Sequence, residues 1–282
     1  MNRKTFLKRL AQLSVIGAFP MLYSWQVEPF WLEFVERKLP IKNLPEELEG
    51  KILMQISDLH VGTRFDWNFL IDSFQKAKKC NPDFVVYTGD FTNHGNADER
   101  EDLKKVMKHL VLGNLATFGI LGNHDYGIDW KELDVADKIC EIAENSGITM
   151  LRDDQKESHG LHFIGFEDLW SPNFAPQKVM ENYDSSKANI ILCHNPDACD
   201  ADVWNNYQGW ILSGHTHGGQ CRIPGVITPL LPVKNRNYTS GEIDLKDGRM
   251  LYINRALGHS FQVRFMVRPE ITVFKLCLEE NV

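Results

Sequence analysis

Nine polar side chains recur in this chain in short clusters that could do metal chemistry. Asp58 and His60 stand in D-L-H. Asp90 follows a glycine in G-D. Asn123, His124 and Asp125 make up G-N-H-D. His194 stands alone, and His215 and His217 form G-H-T-H. Carboxylate oxygen, amide oxygen and imidazole nitrogen all bind divalent first-row metals. Cys193, beside His194, is the one thiol in these clusters, and the alternation of a strand turns it to the opposite face. Asp58, His60, Asp90, Asn123, His194, His215 and His217 could all bind metal directly, whereas one tetrahedral zinc takes four ligands. Such a set suits two ions with one carboxylate shared. In a two-metal site one ion lowers the pKa of water, and the pair clamps the attacking and phosphoryl oxygens. Taken singly, each residue has a plainer explanation: a turn or cap for Asp90, a left-handed turn for Asn123, an ordinary hydrogen-bonded ring for His194. Their joint order along the chain is what points to a metal centre.

Each cluster follows an apolar, β-rich run. KILMQIS (51–57) precedes Asp58, DFVVYTG (83–89) precedes Asp90, and ATFGILG (116–122) precedes Asn123. NIILC (189–193) leads to His194, and WILSG (210–214) to His215. Residues 67–80 and 99–112 carry apolar residues at helical spacing, with Leu103, Val106, Met107 and Leu110 as one stripe. Strands alternating with helices predict an α/β fold with parallel strands at its centre. Right-handed crossovers then bring the C-terminal ends of those strands to one edge. Gly89, Gly122 and Gly214 would let the backbone turn where a Cβ would crowd the ions. Residues 31–41 read as an extended leading strand, and 161–166, 249–255 and 270–278 as further strands, which predicts two packed sheets with helices outside.

The chain has 282 residues, 43% of them hydrophobic, and a net charge of −7. This is globular composition, and its acidity argues against nucleic acid as a partner. The six cysteines form no C-x-x-C pair and read as free thiols. The N-terminus differs: Arg3, Lys4, Lys8 and Arg9 precede a stretch without charge up to Glu28. Residues 1–27 therefore read as a signal or membrane-anchor segment ahead of one catalytic domain, 28–282. The plainer alternative is an amphipathic helix lying on the core. Arg3-Lys4 resembles a twin-arginine export signal with lysine in the second place, which implies a membrane-associated or exported bacterial protein.

Taken together, D-x-H, G-D, G-N-H-D, a single His and G-H-x-H resemble the calcineurin-like metallophosphoesterases over roughly residues 50–282. GGQCRIPG and VRFMVRPEITVF resemble a bacterial branch containing exported phosphodiesterases and hydrolases of UDP-diacylglucosamine. The resemblance implies a four-layer α/β/β/α sandwich of two mixed sheets flanked by helices. It implies Asp58, His60 and His217 on one metal, Asn123, His194 and His215 on the other, and Asp90 bridging. His124 would assist the leaving group, and Asp125 would orient His124. The implied function is hydrolysis of a phosphodiester or pyrophosphate by metal-bound hydroxide. Manganese is the first choice of metal, with iron and zinc behind it. Alternatives are a UDP-2,3-diacylglucosamine-type pyrophosphate hydrolase and a catalytically inactive binding module of the same fold. Arg64 is a further candidate, for substrate phosphate. The expected partners are a phosphate-ester or nucleotide-lipid substrate and a membrane reached through the N-terminal segment, with no obligate protein partner.

Overall fold

Strand and helix alternate along the chain as the hydrophobic pattern predicts, and the strands divide between two sheets. The computed structural model describes residues 19–62, 66–223, 225, 228 and 231–279. Its strands are β1 (Glu33–Ile41), β2 (Ile52–Ile56), β3 (Phe84–Thr88), β4 (Ala116–Ile120), β5 (Thr149–Met150), β6 (Asp154–Ser158), β7 (Leu161–Gly165), β8 (Ala188–Leu192), β9 (Gly209–Ser213), β10 (Gly241–Asp244), β11 (Arg249–Ile253) and β12 (Glu270–Leu278). Its helices are α1 (Asn68–Ala77), α2 (Ala97–Met107), α3 (Leu133–Asn145) and the short α4 (Gln177–Met180).

The first sheet runs β1-β12-β2-β3-β4-β5 and the second β10-β11-β9-β8-β7-β6. β2, β3, β4 and β5 are parallel, as are β7, β8, β9 and β11; both sheets are mixed through antiparallel β12–β2, β6–β7 and β10–β11 pairs.

Strand period explains the layers. Along β2 and β3, Met54, Ile56, Val85 and Tyr87 face outward onto Leu70, Phe74, Leu103, Val106 and Ile139 of the helices. Their neighbours Leu53, Phe84 and Val86 face inward onto Phe163, Ile190 and Leu212 of the second sheet. Phe118 and Phe163 stack across that inner layer at 4.4 Å. The outer face of the second sheet, Ile164, Ile191, Ile211 and Leu251, is covered by Val179, Trp204 and Tyr207. Both faces of each sheet are buried, so the central strands read as continuous apolar runs. The fold is the expected α/β sandwich of two mixed sheets. Its fourth layer is thin, being mostly α4, a 3₁₀ turn (Pro196–Asp200) and loops.

Differences from expectation have local causes. The helix over 67–80 closes at Ala77 and tightens into a 3₁₀ turn, because Asn81 takes a left-handed conformation (φ 48°) that ends helices. The helix over 99–112 starts earlier, at Ala97, where the Asn96 side chain accepts the Glu99 N–H at 3.0 Å. Neither α3 nor the short strands β5, β6 and β10 were foreseen. A buried Gln55 ties the sheets together, donating to Thr88 Oγ1 (3.0 Å) and to the Ser213 carbonyl (2.9 Å).

Of the N-terminal segment 1–27, residues 1–18 lie outside the described residues. Residues 19–26 are helical and sit on the loop before β12: the Arg264 N–H donates to the Ser24 carbonyl at 2.8 Å. No helix among the described residues is long and apolar enough to cross a membrane. Arg264 itself is fully buried, its guanidinium donating to the carbonyls of Arg255, Ala256, Gly258 and Val267. It works as an internal staple for the loop. Arg264→Met leaves the carbonyls of Arg255, Gly258 and Val267 without that donor, while Ala256 keeps the Glu270 N–H, and should cost about 3 kcal/mol. Thermal unfolding should then move down by roughly 6–12 °C; an unchanged Tm would show that the loop holds its shape without the guanidinium.

Candidate metal centre

Asp58, Asp90 and Asn123 follow β2, β3 and β4. His194 and His215 follow β8 and β9. The strand ends are laced together past the sheets. Asp58 N–H donates to Gly89 O (2.9 Å), His60 N–H to Asp90 O (3.0 Å), and Gly214 N–H to His194 O (3.1 Å). The second sheet thus brings His194, His215 and His217 to the carboxylates of the first.

Two groups of ligand atoms result, each within 4.8 Å: Asp58, His60, Asp90 and His217, and Asp90, His194 and His215. Asp90 belongs to both. Asn123 joins the second group, its Oδ1 2.9 Å from His215 Nδ1. All of these side chains are buried. His60 Nε2 and His217 Nε2 face each other at 2.9 Å, and His194 Nε2 lies 3.2 Å from Asp90 Oδ2. His194 Nε2 and His217 Nδ1 are buried with no directed hydrogen bond among the described residues. Ring nitrogens and carboxylates converging in this way, away from solvent, are a donor set that fits a pair of divalent cations.

Three rings are turned by their other nitrogen. His60 Nδ1 lies 3.0 Å from Asn93 Oδ1, His194 Nδ1 2.7 Å from the Thr88 carbonyl, and His215 Nε2 3.0 Å from the Pro232 carbonyl. Each is an N–H donating outward, which turns the opposite ring nitrogen toward the centre. Charge states match. Burial raises the Asp58 carboxyl, but His217 beside it outweighs that and holds it at about 2. Asp90 is likewise held well below the usual range, against its burial, by His194 and His124. Burial drives His60 well down and, with His194 adding to it, lowers His215 to about 3. Ionised carboxylates and neutral imidazoles are the forms that bind metal. His194 is the exception: burial lowers it, yet the Asp90 carboxylate wins and holds it well above its ordinary value. A cation at Asp90 would have to displace that proton.

Five of these residues have left-handed backbones: Asp58 (φ 54°), His60 (48°), Asp90 (55°), His215 (69°) and His217 (51°). Non-glycine residues there cost of order 1–3 kcal/mol each, a strain that clusters at functional sites.

The glycines act differently from one another. Gly89 needs its left-handed φ of 90°. Gly122 and Gly214 do not; what they supply is space. A Cβ on Gly122 would lie 2.3 Å from Asp90 Oδ1, and one on Gly214 2.3 Å from Asp58 Oδ2.

His124 sits at the rim, half-buried. Its backbone N–H donates to Asp90 Oδ1 (2.9 Å), and its Nδ1 lies 2.7 Å from the Asn93 carbonyl. Its Nε2 is thereby left for the cleft. Asp125 is placed otherwise than a ring-orienting carboxylate would be. It accepts the backbone N–H groups of Phe91 (3.2 Å), Thr92 (3.0 Å) and Gly122 (3.0 Å), and the Asn93 carbonyl does the orienting of His124. Burial, with Asp90 nearby, raises Asp125 to about 7. Arg64 lies outside the described residues. Asn93, which reaches both His60 and His124, was missed by sequence reasoning; its place three residues after Asp90 was the available signal. Also missed was an aromatic wall: Trp170 meets His215 edge-on at 4.8 Å and stacks on Trp130 at 4.7 Å. The wall borders a cleft of about 260 Å³, lined also by His124, Pro232 and Phe261.

Crowding at the glycines is directly testable. Gly214→Ala should push Asp58 aside and lower bound metal, by elemental analysis, below that of the unaltered chain. A full metal complement in Gly214→Ala would show that the Cβ is accommodated.

Residues 52–219 match the profile of the calcineurin-like phosphoesterase family. Among similar proteins, an uncharacterized metallophosphoesterase of Bacillus subtilis, YkuE, is 30% identical over 98% of both chains. The phosphodiesterase YaeI of Escherichia coli is 26% identical over 98% of this chain and 99% of its own. The UDP-2,3-diacylglucosamine pyrophosphatase LpxG of Chlamydia muridarum is 27% identical, with 98% and 99% covered. The matched span runs from β2 through G-H-T-H, and so contains every strand end and histidine that builds the buried centre: the chain belongs to the calcineurin-like phosphoesterases.

Proposed function

We propose that this protein is a dinuclear metal-dependent phosphoesterase that cleaves a phosphodiester or pyrophosphate. The observation that carries the reading is Asp90, one buried carboxylate common to two groups of ligand atoms. Asp58, His60, Asp90 and His217 would hold one cation, and Asp90, Asn123, His194 and His215 the other. Bound there, manganese (our first choice), iron or zinc would supply Lewis acidity toward phosphoryl oxygens and a lowered pKa for water. Two dications against two carboxylates leave the centre net positive, which draws an anionic ester despite the chain's charge of −7.

The chain's own residues do the rest. His124, anchored through Nδ1–H on the Asn93 carbonyl, turns Nε2 to the cleft, where the imidazolium form would give its Nε2 proton to the departing oxygen. Asp90 Oδ1 fixes the His124 backbone, so one carboxylate sets both the ligands and the acid. Asp125 is a positioning residue, holding the Asp90 and Asn123 loops together through their N–H groups.

A second, narrower reading is a UDP-2,3-diacylglucosamine-type pyrophosphate hydrolase. Its support is the likeness to LpxG, together with the apolar cleft wall of Trp130, Trp170 and Phe261. A catalytically inactive binding module is disfavoured, since all seven ligand residues are present and turned inward.

Asp90→Ala and His215→Ala should lose metal and the hydrolysis of an aryl phosphodiester. His124→Ala should keep metal and lose turnover by about 10²- to 10⁴-fold. A full two-ion complement in Asp90→Ala would refute the bridge. For the narrower reading, the purified enzyme should release UMP from UDP-2,3-diacylglucosamine; cleavage of aryl diesters without that release would remove it and leave the broader reading intact.

A further inference from the structure

Large apolar side chains are exposed on one face beside the metal cleft. The helix at 19–26 turns Tyr23 and Ser24 inward: the Tyr23 ring meets Phe265 at 6.5 Å, and the Ser24 carbonyl takes the Arg264 N–H. Its other sides are open, with Phe19 73%, Met21 75%, Leu22 56% and Trp25 51% exposed. The loop beneath adds Phe261 at 65% and Met266 at 55%. Helix and loop are one unit, since Gln262 Nε2 donates to the Trp25 carbonyl (2.9 Å), and Gln220 Nε2 holds the carbonyls of Phe261 and Val263. A folded domain rarely shows so much contiguous apolar surface without a use for it.

The sequence just before this face points to what covers it. Residues 1–18 carry Arg3, Lys4, Lys8 and Arg9, no acidic residue, and an apolar stretch from Leu10 onward. Cations that precede an apolar, tryptophan-bearing face in the sequence complement anionic headgroups over acyl chains. The same loop reaches the site. Gly258 N–H donates to the Asp58 carbonyl at 2.8 Å, Ser260 Oγ lies 3.5 Å from His60 Nδ1, and Phe261 lines the cleft.

We propose that the face formed by residues 19–27 and 261–266 docks on an anionic lipid bilayer and sets the mouth of the metal cleft at the membrane surface. This deepens the phosphoesterase reading by giving its site a partner, but the docking itself needs no turnover. The test is co-sedimentation of the full chain with vesicles of phosphatidylcholine alone, or mixed with phosphatidylglycerol, at low and high salt. The unaltered chain should sediment with the mixed vesicles, less so at high salt. The triple variant Leu22→Ser, Trp25→Ser, Met266→Asn should partition at least tenfold more weakly. Its circular dichroism and its hydrolysis of a soluble aryl phosphodiester should stay unchanged. Sedimentation of the variant equal to that of the unaltered chain would overturn the proposal, because residues 1–18 would then suffice. So would a chain that binds no vesicle, or one that forms a dimer which the variant dissociates. If neither protein cleaves the soluble ester, the phosphoesterase reading fails while the vesicle result still decides the docking.

Discussion

A carboxylate buried at the junction of two sheets is costly unless something answers its charge. Asp90 is such a group, and much of the local structure is its answer. The His124 N–H takes one oxygen, while the His194 and His60 rings stand 3.2 and 3.5 Å from the other. Asp58 repeats the arrangement with the His215 N–H and the His217 ring. Two anions and their imidazoles make a cage whose internal repulsions and attractions are best met by cations. The same balance keeps the carboxylates ionised and His60 and His215 neutral.

Holding that cage has a backbone cost, met by packing elsewhere. Asp58, His60, Asp90, His215 and His217 are kept left-handed against their preference. Three buried apolar layers provide the stiffness, and polar ties cross between the sheets close to the site. Gln55 links β2 to β3 and β9, and Asn254 Nδ2 donates to Thr272 Oγ1 at 2.8 Å just beyond β11. Strain sits on the clustered Asp and His residues, and its support lies in the strands and loops behind them. Placement of the histidines therefore depends on how the second sheet stacks on the first.

The loop before β12 joins these concerns. Arg264 pins it from inside, its Gly258 end binds the Asp58 backbone, and its outer side bears Phe261 and Met266. A shift of this loop would be felt at the first group of ligands and at the apolar face alike. Rigid centre and open apolar rim are two sides of one segment.

The sequence determined the strands, because buried parallel strands must be apolar on both faces, and β2, β3, β4, β8 and β9 are written as such runs. It determined the types of the candidate donors as well, because each polar cluster begins where one of those runs ends. It left α3 and the short β5, β6 and β10 unread; β5 is two residues long, and β6 and β10 are partly exposed edge strands whose pairing, not composition, makes them strands. Only the tertiary structure decided what each ligand rests on. The roles of Asn93, Thr88 and Pro232 depend on distance and direction, which no spacing encodes. The family resemblance casts Asp125 as a partner for the ring next to it, yet folding turns it onto backbone N–H groups from two loops. Gly122 and Gly214 look like turn residues, but they are needed because another strand's carboxylate lies where a Cβ would be. Sequence carries the identity of the donors; which donor faces which is fixed when two separately formed sheets close on each other.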